Sequence, residues 1–358
     1  MKTIIKWPGG KSREIEQIKH LVPEYDRYIE PFFGGGAVYF SLEPKKAYIN
    51  DISPMLMEFY RLVKAQDTDF KKYLDKYDIT FKSLLESTDN NYNIIYSCYK
   101  NNGDIQKLTD QIVSSQQTDP LIITDIKTYK VFIAKMVNDK FTRTKKNQEK
   151  KLFSDKDLKR NLQTGFTSGY YMYFRDIYNK YALKPLSEDI AGRIANFYFI
   201  REYCYGSMFR YNSKGEFNIP YGGMTYNNKN FRAKIDGLFN KDISLLFKET
   251  SIYTQDFEEF LNSLTLTDSD FIFLDPPYDT EFSDYEGRAF TKEDQYRLAS
   301  TLKNIKAKFI LIIKNTSFIY SLYKDYFRII SFDKNYTCNV RSRNERNTEH
   351  LIITNIPG

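Results

Sequence analysis

The chain has 358 residues, of which 41% are apolar and 28% charged, with a formal net charge of +7, two histidines and three cysteines. This is the composition of a globular chain: it excludes a disulfide framework and argues against a Cys/His zinc site. No apolar stretch approaches the length of a membrane span or forms a signal core, so a cytoplasmic protein with no membrane partner and no metal is expected.

The first notable segment is Lys6-Trp7-Pro8-Gly9-Gly10-Lys11-Ser12. It ends like a phosphate-binding loop, but such a loop needs a strand leading in and a Gly five positions before the Gly-Lys pair, where Ile5 stands. The plainer reading is a Gly turn entering a helix capped by Ser12, with Glu14 in its first turn. Tyr28-Ile29 then reads as a short strand, followed by the Gly34-Gly35-Gly36 turn and a helix over 37–42. Tyr48-Ile49-Asn50 is the next strand. Ser53-Pro54 opens another helix, Ser as cap and Pro at the first helical position, running through Met57, Phe59, Tyr60 and Val63.

From about Lys64 to Asn240 amphipathic helices dominate, such as 70–85 and 127–137, with polar clusters between them. One hairpin is expected over 211–220, turning at Lys214-Gly215. Within 127–160, twelve Lys/Arg stand against four Asp/Glu, so this segment alone carries the chain's positive excess. It is either a solvated helical face or a surface for a polyanion, and Tyr129, Phe132, Phe141 and Phe153 keep the second reading open. After Lys241 strands return: 251–253, the wholly apolar 271–274, 309–313, and a final pair at 328–332 and 351–354. Strands separated by helices imply a doubly wound α/β sheet with ligands at the strand C-termini. The expected division is 1–63 and 241–358 for the sheet domain, with 64–240 as a helical insertion carrying a hairpin near 208–222.

Asp275-Pro276-Pro277-Tyr278 follows the buried strand directly. Two prolines cannot join a sheet ladder, so the strand stops there and presents a carboxylate, proline carbonyls and an aromatic ring. Acceptors beside a stacking plane suit a planar group bearing an NH2. Glu30-Pro31-Phe32-Phe33-Gly34-Gly35-Gly36 follows the first strand, where glycines let a ligand approach the backbone. Asp51 follows the second strand, a place where dinucleotide folds bind ribose hydroxyls. The Gly turn lacks the G-x-G-x-x-G spacing, which disfavours NAD and favours a nucleoside without a pyrophosphate.

These motifs, in this order, resemble the Dam-like DNA adenine-N6 methyltransferases. Residues 6–11 resemble that family's K-W-x-G-G-K, 30–36 its D/E-P-F-x-G-G-G, 50–52 its ribose-binding turn, 253–257 its D-F element, 275–278 its D-P-P-Y and 211–222 its R/Y-N-x-x-G-x-F-N-x-P-F/Y-G hairpin; 290–293 and 349–355 resemble the elements beyond. The resemblance implies a Rossmann-like methyltransferase sheet with an inserted, mostly helical target-recognition domain. It implies S-adenosyl-L-methionine held by Trp7, Lys11, Phe32, Gly34, Gly36, Asp51, Asp256, Phe257 and Asp275, and catalysis on a flipped-out adenine by Asp275, Pro276, Pro277 and Tyr278. Double-stranded DNA would be contacted by Arg210, Asn212, Lys214, Asn218 and Tyr221, and a cognate restriction endonuclease is a further expected partner. The alternatives are a cytosine-N4 or RNA adenine methyltransferase, or a non-catalytic DNA-binding relative.

Overall fold

The structure, a computed structural model, describes residues 1–8, 15–185, 188–277, 290–335 and 347–358. The chain divides into a sheet unit (Met1–Thr3, Trp7–Arg61 and Ser244–Gly358) and a helical unit (Ile4–Lys6 and Leu62–Ile243).

The sheet unit is built on β1 (Arg27–Glu30), β2 (Ala47–Asn50), β3 (Thr250–Tyr253), β4 (Asp270–Leu274), β5 (Lys308–Lys314), β6 (Arg328–Asn335) and β7 (Asn347–Thr354), in the order β3-β2-β1-β4-β5-β7-β6. Strand β7 runs antiparallel to both its neighbours, and the other pairings are parallel. The chain's early helices are α1 (Ile15–Lys19), α2 (Ala37–Leu42) and α3 (Pro54–Ala65). All five residues of β4 are buried, as are the central five of β5, because both strands are covered on two faces. At the other end of β4, Asp270 accepts from Arg27 Nε and Nη2, each at 2.7 Å, which fixes the Arg27–Asp270 register of β1 against β4. The chain moves outward from β1 through β2 to β3, then returns on the opposite side of β1 as β4. The C-terminal ends of β1 and β4 therefore flank a topological switch, where open α/β sheets take their ligands.

The helical unit follows with α4 (Thr68–Asn90), α5 (Tyr92–Asn101), α6 (Ile105–Ser114), α7 (Ile126–Gln148), α8 (Asp155–Tyr181), α9 (Ile190–Tyr203) and α10 (Phe231–Leu238). After it, α11 (Lys241–Phe247), α12 (Phe257–Asn262), α13 (Lys292–Lys303) and α14 (Ser317–Tyr323) complete the chain. Helices α4 and α7 are longer than the sequence periodicity suggests. Asp67 and Asp125 cap them with side-chain bonds to backbone N–H groups, and α7 continues past Val137 with Phe141 and Thr144 turned inward. Gly165 and Gly169 let α8 press on α7: a Cβ at Gly169 would stand 2.5 Å from Ile133 Cα. The core is aromatic, with Tyr77 stacked on Phe199 at 4.8 Å and Phe174 edge-on to Tyr77 at 4.7 Å. Among the described residues no helix is long and apolar enough to cross a membrane.

Candidate active site

Four strand ends in the sheet unit carry the motif residues. Glu30 closes β1, Asp51 follows β2, Asp256 follows β3 and Asp275 follows β4. Backbone and side chains tie these ends together. Gly34, at φ 50 in the turn after β1, donates its N–H to Asp51 Oδ2 at 2.8 Å, and its carbonyl accepts from Tyr60 at 2.9 Å. Asp51 Oδ1 accepts from Ser53 N at 3.0 Å. The Trp7 indole lies against this turn so closely that a Cβ on Gly34 would come within 2.8 Å of its Cδ1. Phe32 packs on Phe257 with ring centroids 5.3 Å apart, and Phe257 is nearly buried behind it at 4% exposure. Asp275 and Pro277 are half-buried and Pro276 is buried. Trp7, Gly34 and Asp51 are thus linked by direct contacts, as separately are Phe32 and Phe257, and Gly36 is the αL residue that opens α2. Lys11 and Tyr278, with Gly9, Gly10, Ser12 and Glu14, lie outside the described residues.

The carboxylates affect one another. Burial pushes the Glu30 carboxyl well above its ordinary value near 4.5; the Tyr28 hydroxyl, 2.8 Å away, opposes this, and the charges of Asp275 and Asp51 add to it. Asp51 is also raised by burial, against the backbone N–H groups of Ser53, Gly34 and Ile52. Native Glu30 therefore keeps its proton to a higher pH than the unfolded chain does. As pH rises above about 4.5 the unfolded state sheds that proton first, and stability falls by up to about 1.4 kcal/mol per pH unit until the native group ionises. Glu30→Gln keeps an acceptor for Tyr28 and removes this penalty. Its stability advantage over the unaltered protein is predicted to grow from pH 5 to pH 8 in urea unfolding; a constant difference would show that Glu30 ionises normally.

Several residues that shape the site are not legible as such in the sequence. Asn50 Nδ2 donates to the carbonyls of Pro31 (3.1 Å) and Gln255 (3.0 Å), while its Oδ1 accepts from Gln255 N at 2.9 Å, so one amide joins the turns after β1 and β3. Gln295 on α13 is wholly buried and donates to the Pro277 carbonyl at 3.4 Å. Arg297, close by on the same helix, bonds Asp256 at 2.6 Å and Glu258 at 2.8 Å. These partners lie tens to hundreds of residues apart, and only the Asp294–Arg297 spacing gives a local signal.

In the helical unit, the segment after α9 forms the expected hairpin through a Tyr211–Phe217 bridge, with Gly215 at φ 76 in the turn. Arg210 and Lys214 are exposed. Asn212 is half-buried and shapes the turn, its Oδ1 accepting from Lys214 N and Glu216 N at 2.9 and 3.0 Å. Asn218 is half-buried, with a buried Oδ1 that has no hydrogen-bond partner among the described residues. Tyr221 is 7% exposed, stacks on Tyr203 and donates its hydroxyl to Asn227 at 2.7 Å, so its side chain packs in the core of the helical unit. Of the aromatic residues of 127–160, Tyr129 and Phe141 are buried, whereas Phe132 and Phe153 are half-buried. Arg143, Lys146, Lys150, Lys151 and Lys156 are exposed around the turn from α7 to α8, whereas Lys130 and Lys159 are paired with Asp110 and Asp89.

A Gly turn flanked by four acid-ended strands, on a seven-stranded sheet with one reversed strand, defines a Rossmann-like methyltransferase fold. The chain matches the D12 class N6 adenine-specific DNA methyltransferases over residues 7–117 and 111–338, and it belongs to that family. It is 26% identical over 361 residues to the Type II methyltransferase M.CviBI of Paramecium bursaria Chlorella virus NC1A, covering 99% of this chain and 100% of the relative. It is 26% identical over 340 residues to the Type II methyltransferase M.MjaIII of Methanocaldococcus jannaschii, covering 89% and 85%. It is 24% identical over 329 residues to the Retron Ec67 DNA adenine methylase of Escherichia coli, covering 91% and 82%. The protein is an adenine-specific DNA methyltransferase, a transferase that takes DNA as its substrate.

Proposed function

We propose that the methyl donor is S-adenosyl-L-methionine and that the acceptor is the N6 amine of an adenine flipped out of duplex DNA. The observation that carries this reading is the set of carboxylates that follow β2, β3 and β4, namely Asp51, Asp256 and Asp275. The cofactor is rich in donors, with ribose hydroxyls, an adenine amine and an ammonium, and it carries a sulfonium charge. Carboxylates held by backbone N–H groups beside an indole and a phenyl ring fit such a molecule. Asp51 would take the ribose hydroxyls, Asp256 and Phe257 the adenine end, and Trp7 and Phe32 the walls. When bound, the cofactor supplies an electrophilic methyl group.

The chain's own part in the chemistry is positioning. An exocyclic adenine amine is a weak nucleophile because its lone pair is delocalised into the ring. Asp275 and the Pro276 carbonyl, accepting from that NH2, favour a more tetrahedral nitrogen with its lone pair free to attack. Fixed acceptors in a partly desolvated site need no reorganisation at the moment of transfer. Extrusion of the base costs a few kcal/mol, and an aromatic platform, the role the family resemblance assigns to Tyr278, would offset about 1–3 kcal/mol of it. Incubating duplex DNA with donor labelled on its methyl group, then digesting to nucleosides, tests this reading: label in N6-methyladenine is expected, and label in N4-methylcytosine or in no base contradicts it.

Target recognition falls to the helical unit in this reading, with Arg210 and Lys214 on the hairpin as DNA contacts and the cations of the α7–α8 turn on phosphates. Changing Lys146, Lys150, Lys151 and Lys156 together to Gln should weaken binding to all sequences alike. It should also flatten the log–log dependence of affinity on salt by about 0.9 for each phosphate that is no longer neutralised. An unchanged slope in a salt titration by fluorescence anisotropy would assign these lysines to solvent. The Type II relatives favour a role beside a cognate restriction endonuclease.

A further inference from the structure

We propose that Arg297 is a positioning residue for cofactor selection, holding Asp256 so that one carboxylate oxygen is presented to the amino group of the donor's adenine. This rests on the reading of Asp256 and Phe257 as the adenine end of the pocket. The geometry is local to the sheet unit. Asp256 caps α12, its Oδ1 accepting from Glu258 N at 2.9 Å and from Arg297 Nη2 at 2.6 Å. Its Oδ2 has only a 3.5 Å contact from Arg297 Nη1 among the described residues, so this oxygen keeps acceptor capacity. The same guanidinium bonds Glu258 through Nε at 2.8 Å and Asp294 through Nη1 at 2.9 Å. It also lies over the Phe257 ring, 4.9 Å from the centroid.

Three carboxylates around one cation leave a net charge of −2. Without the cation they repel one another, and Asp256 would turn toward water. Asp256 would then no longer offer a fixed acceptor. A guanidinium can serve three carboxylates in one plane, whereas an ammonium is a point charge with no such fork. The capping box of Thr291 and Asp294 anchors the start of α13 and sets Asp294 one turn before Arg297. No step of methyl transfer uses Arg297 directly; its effect is on which nucleoside the pocket accepts.

Two demethylated ligands separate this role from a structural one: S-adenosylhomocysteine, and its hypoxanthine counterpart, in which a 6-oxo group replaces the 6-amino group. A carboxylate favours the first and opposes the second. Calorimetry on the full chain is expected to show that the unaltered protein prefers the adenine ligand by at least tenfold. Arg297→Gln should bring the two Kd values within about threefold, and Arg297→Lys should fall between. A uniform loss of affinity for both ligands, with their ratio kept, would mean that Arg297 only supports the fold, and would overturn the proposal. If Arg297→Gln fails to fold, the Arg297→Lys ratio decides: an unchanged preference overturns the proposal equally. Asp256→Ala keeps the two readings apart. If it retains the adenine preference, or if the unaltered protein has none, the assignment of Asp256 fails and the proposal with it. If Asp256→Ala loses the preference while Arg297→Gln keeps it, the role of Arg297 alone is refuted.

Discussion

Asp275→Ala is expected to lower the rate of methyl transfer by about a thousandfold or more, close to 4 kcal/mol of barrier, while leaving DNA affinity within twofold. The reason lies in where the residue sits. Leu274 is the last ladder residue of β4, and Pro276 and Pro277 cannot extend it, so Asp275 leaves the sheet half-buried at the switch between β1 and β4. There its carboxylate would accept from the target amine together with the Pro276 carbonyl, and as the charged acceptor of the two it would do most to free the lone pair. DNA affinity should persist because the DNA contacts proposed for the hairpin and the lysines belong to the helical unit. Asp275→Asn gives a sharper version of the test. It keeps the shape and one carbonyl acceptor but puts an NH2 where the amine needs an acceptor, so its rate should fall nearly as far. Single-turnover transfer measured beside DNA-binding anisotropy reads both quantities. A variant within tenfold of the unaltered rate would remove Asp275 from the reaction.

Asp51→Ala should have the second largest effect, on two observables at once. Its carboxylate holds the N–H of Gly34 at 2.8 Å and of Ser53 at 3.0 Å, so truncation orphans two donors in a partly buried turn. Hydrogen bonds to a charged acceptor are worth about 1.5–3 kcal/mol each, and a loss of about 2–4 kcal/mol from the sheet unit follows once the relieved cost of burying Asp51 is counted. The Gly34 turn, against which Trp7 packs, would loosen with it. Affinity for S-adenosylhomocysteine should drop by about a hundredfold. Asp51→Asn retains an acceptor for one N–H and should recover part of the stability but little of the affinity. If calorimetry gives Asp51→Ala its full affinity, the carboxylate is a turn-former and nothing more.

The parts of the fold visible in the sequence are those decided by neighbours along the chain. The β4 run Phe271–Leu274 reads as a buried strand because it is apolar throughout, and the two prolines after it mark its end. Likewise Ser53-Pro54 announces α3, and Leu56 N does bond Ser53 Oγ, at 3.4 Å. What stays hidden is decided by distant residues. Asn50 looks like the tail of a strand; that it bonds both Pro31 and Gln255 depends on β2 lying between β1 and β3. Arg297 looks like a surface charge on an amphipathic helix until α12 brings Asp256 and Glu258 to it. The burial of Tyr221 escapes notice for another reason. Hairpin motifs draw attention to polar residues, yet Phe217, Ile219 and Tyr221 alternate along one extended segment, and all three are buried at 1%, 0% and 7% exposure. That alternation is present in the sequence.

The most direct test is base-resolved methylation sequencing of DNA from a host that lacks adenine methylation and expresses this chain. N6-methyladenine at nearly every copy of one short sequence, with cytosines unmodified, is the predicted result. Methylation confined to cytosine, or adenines left unmodified by a folded and expressed protein that binds S-adenosylhomocysteine, would contradict the account.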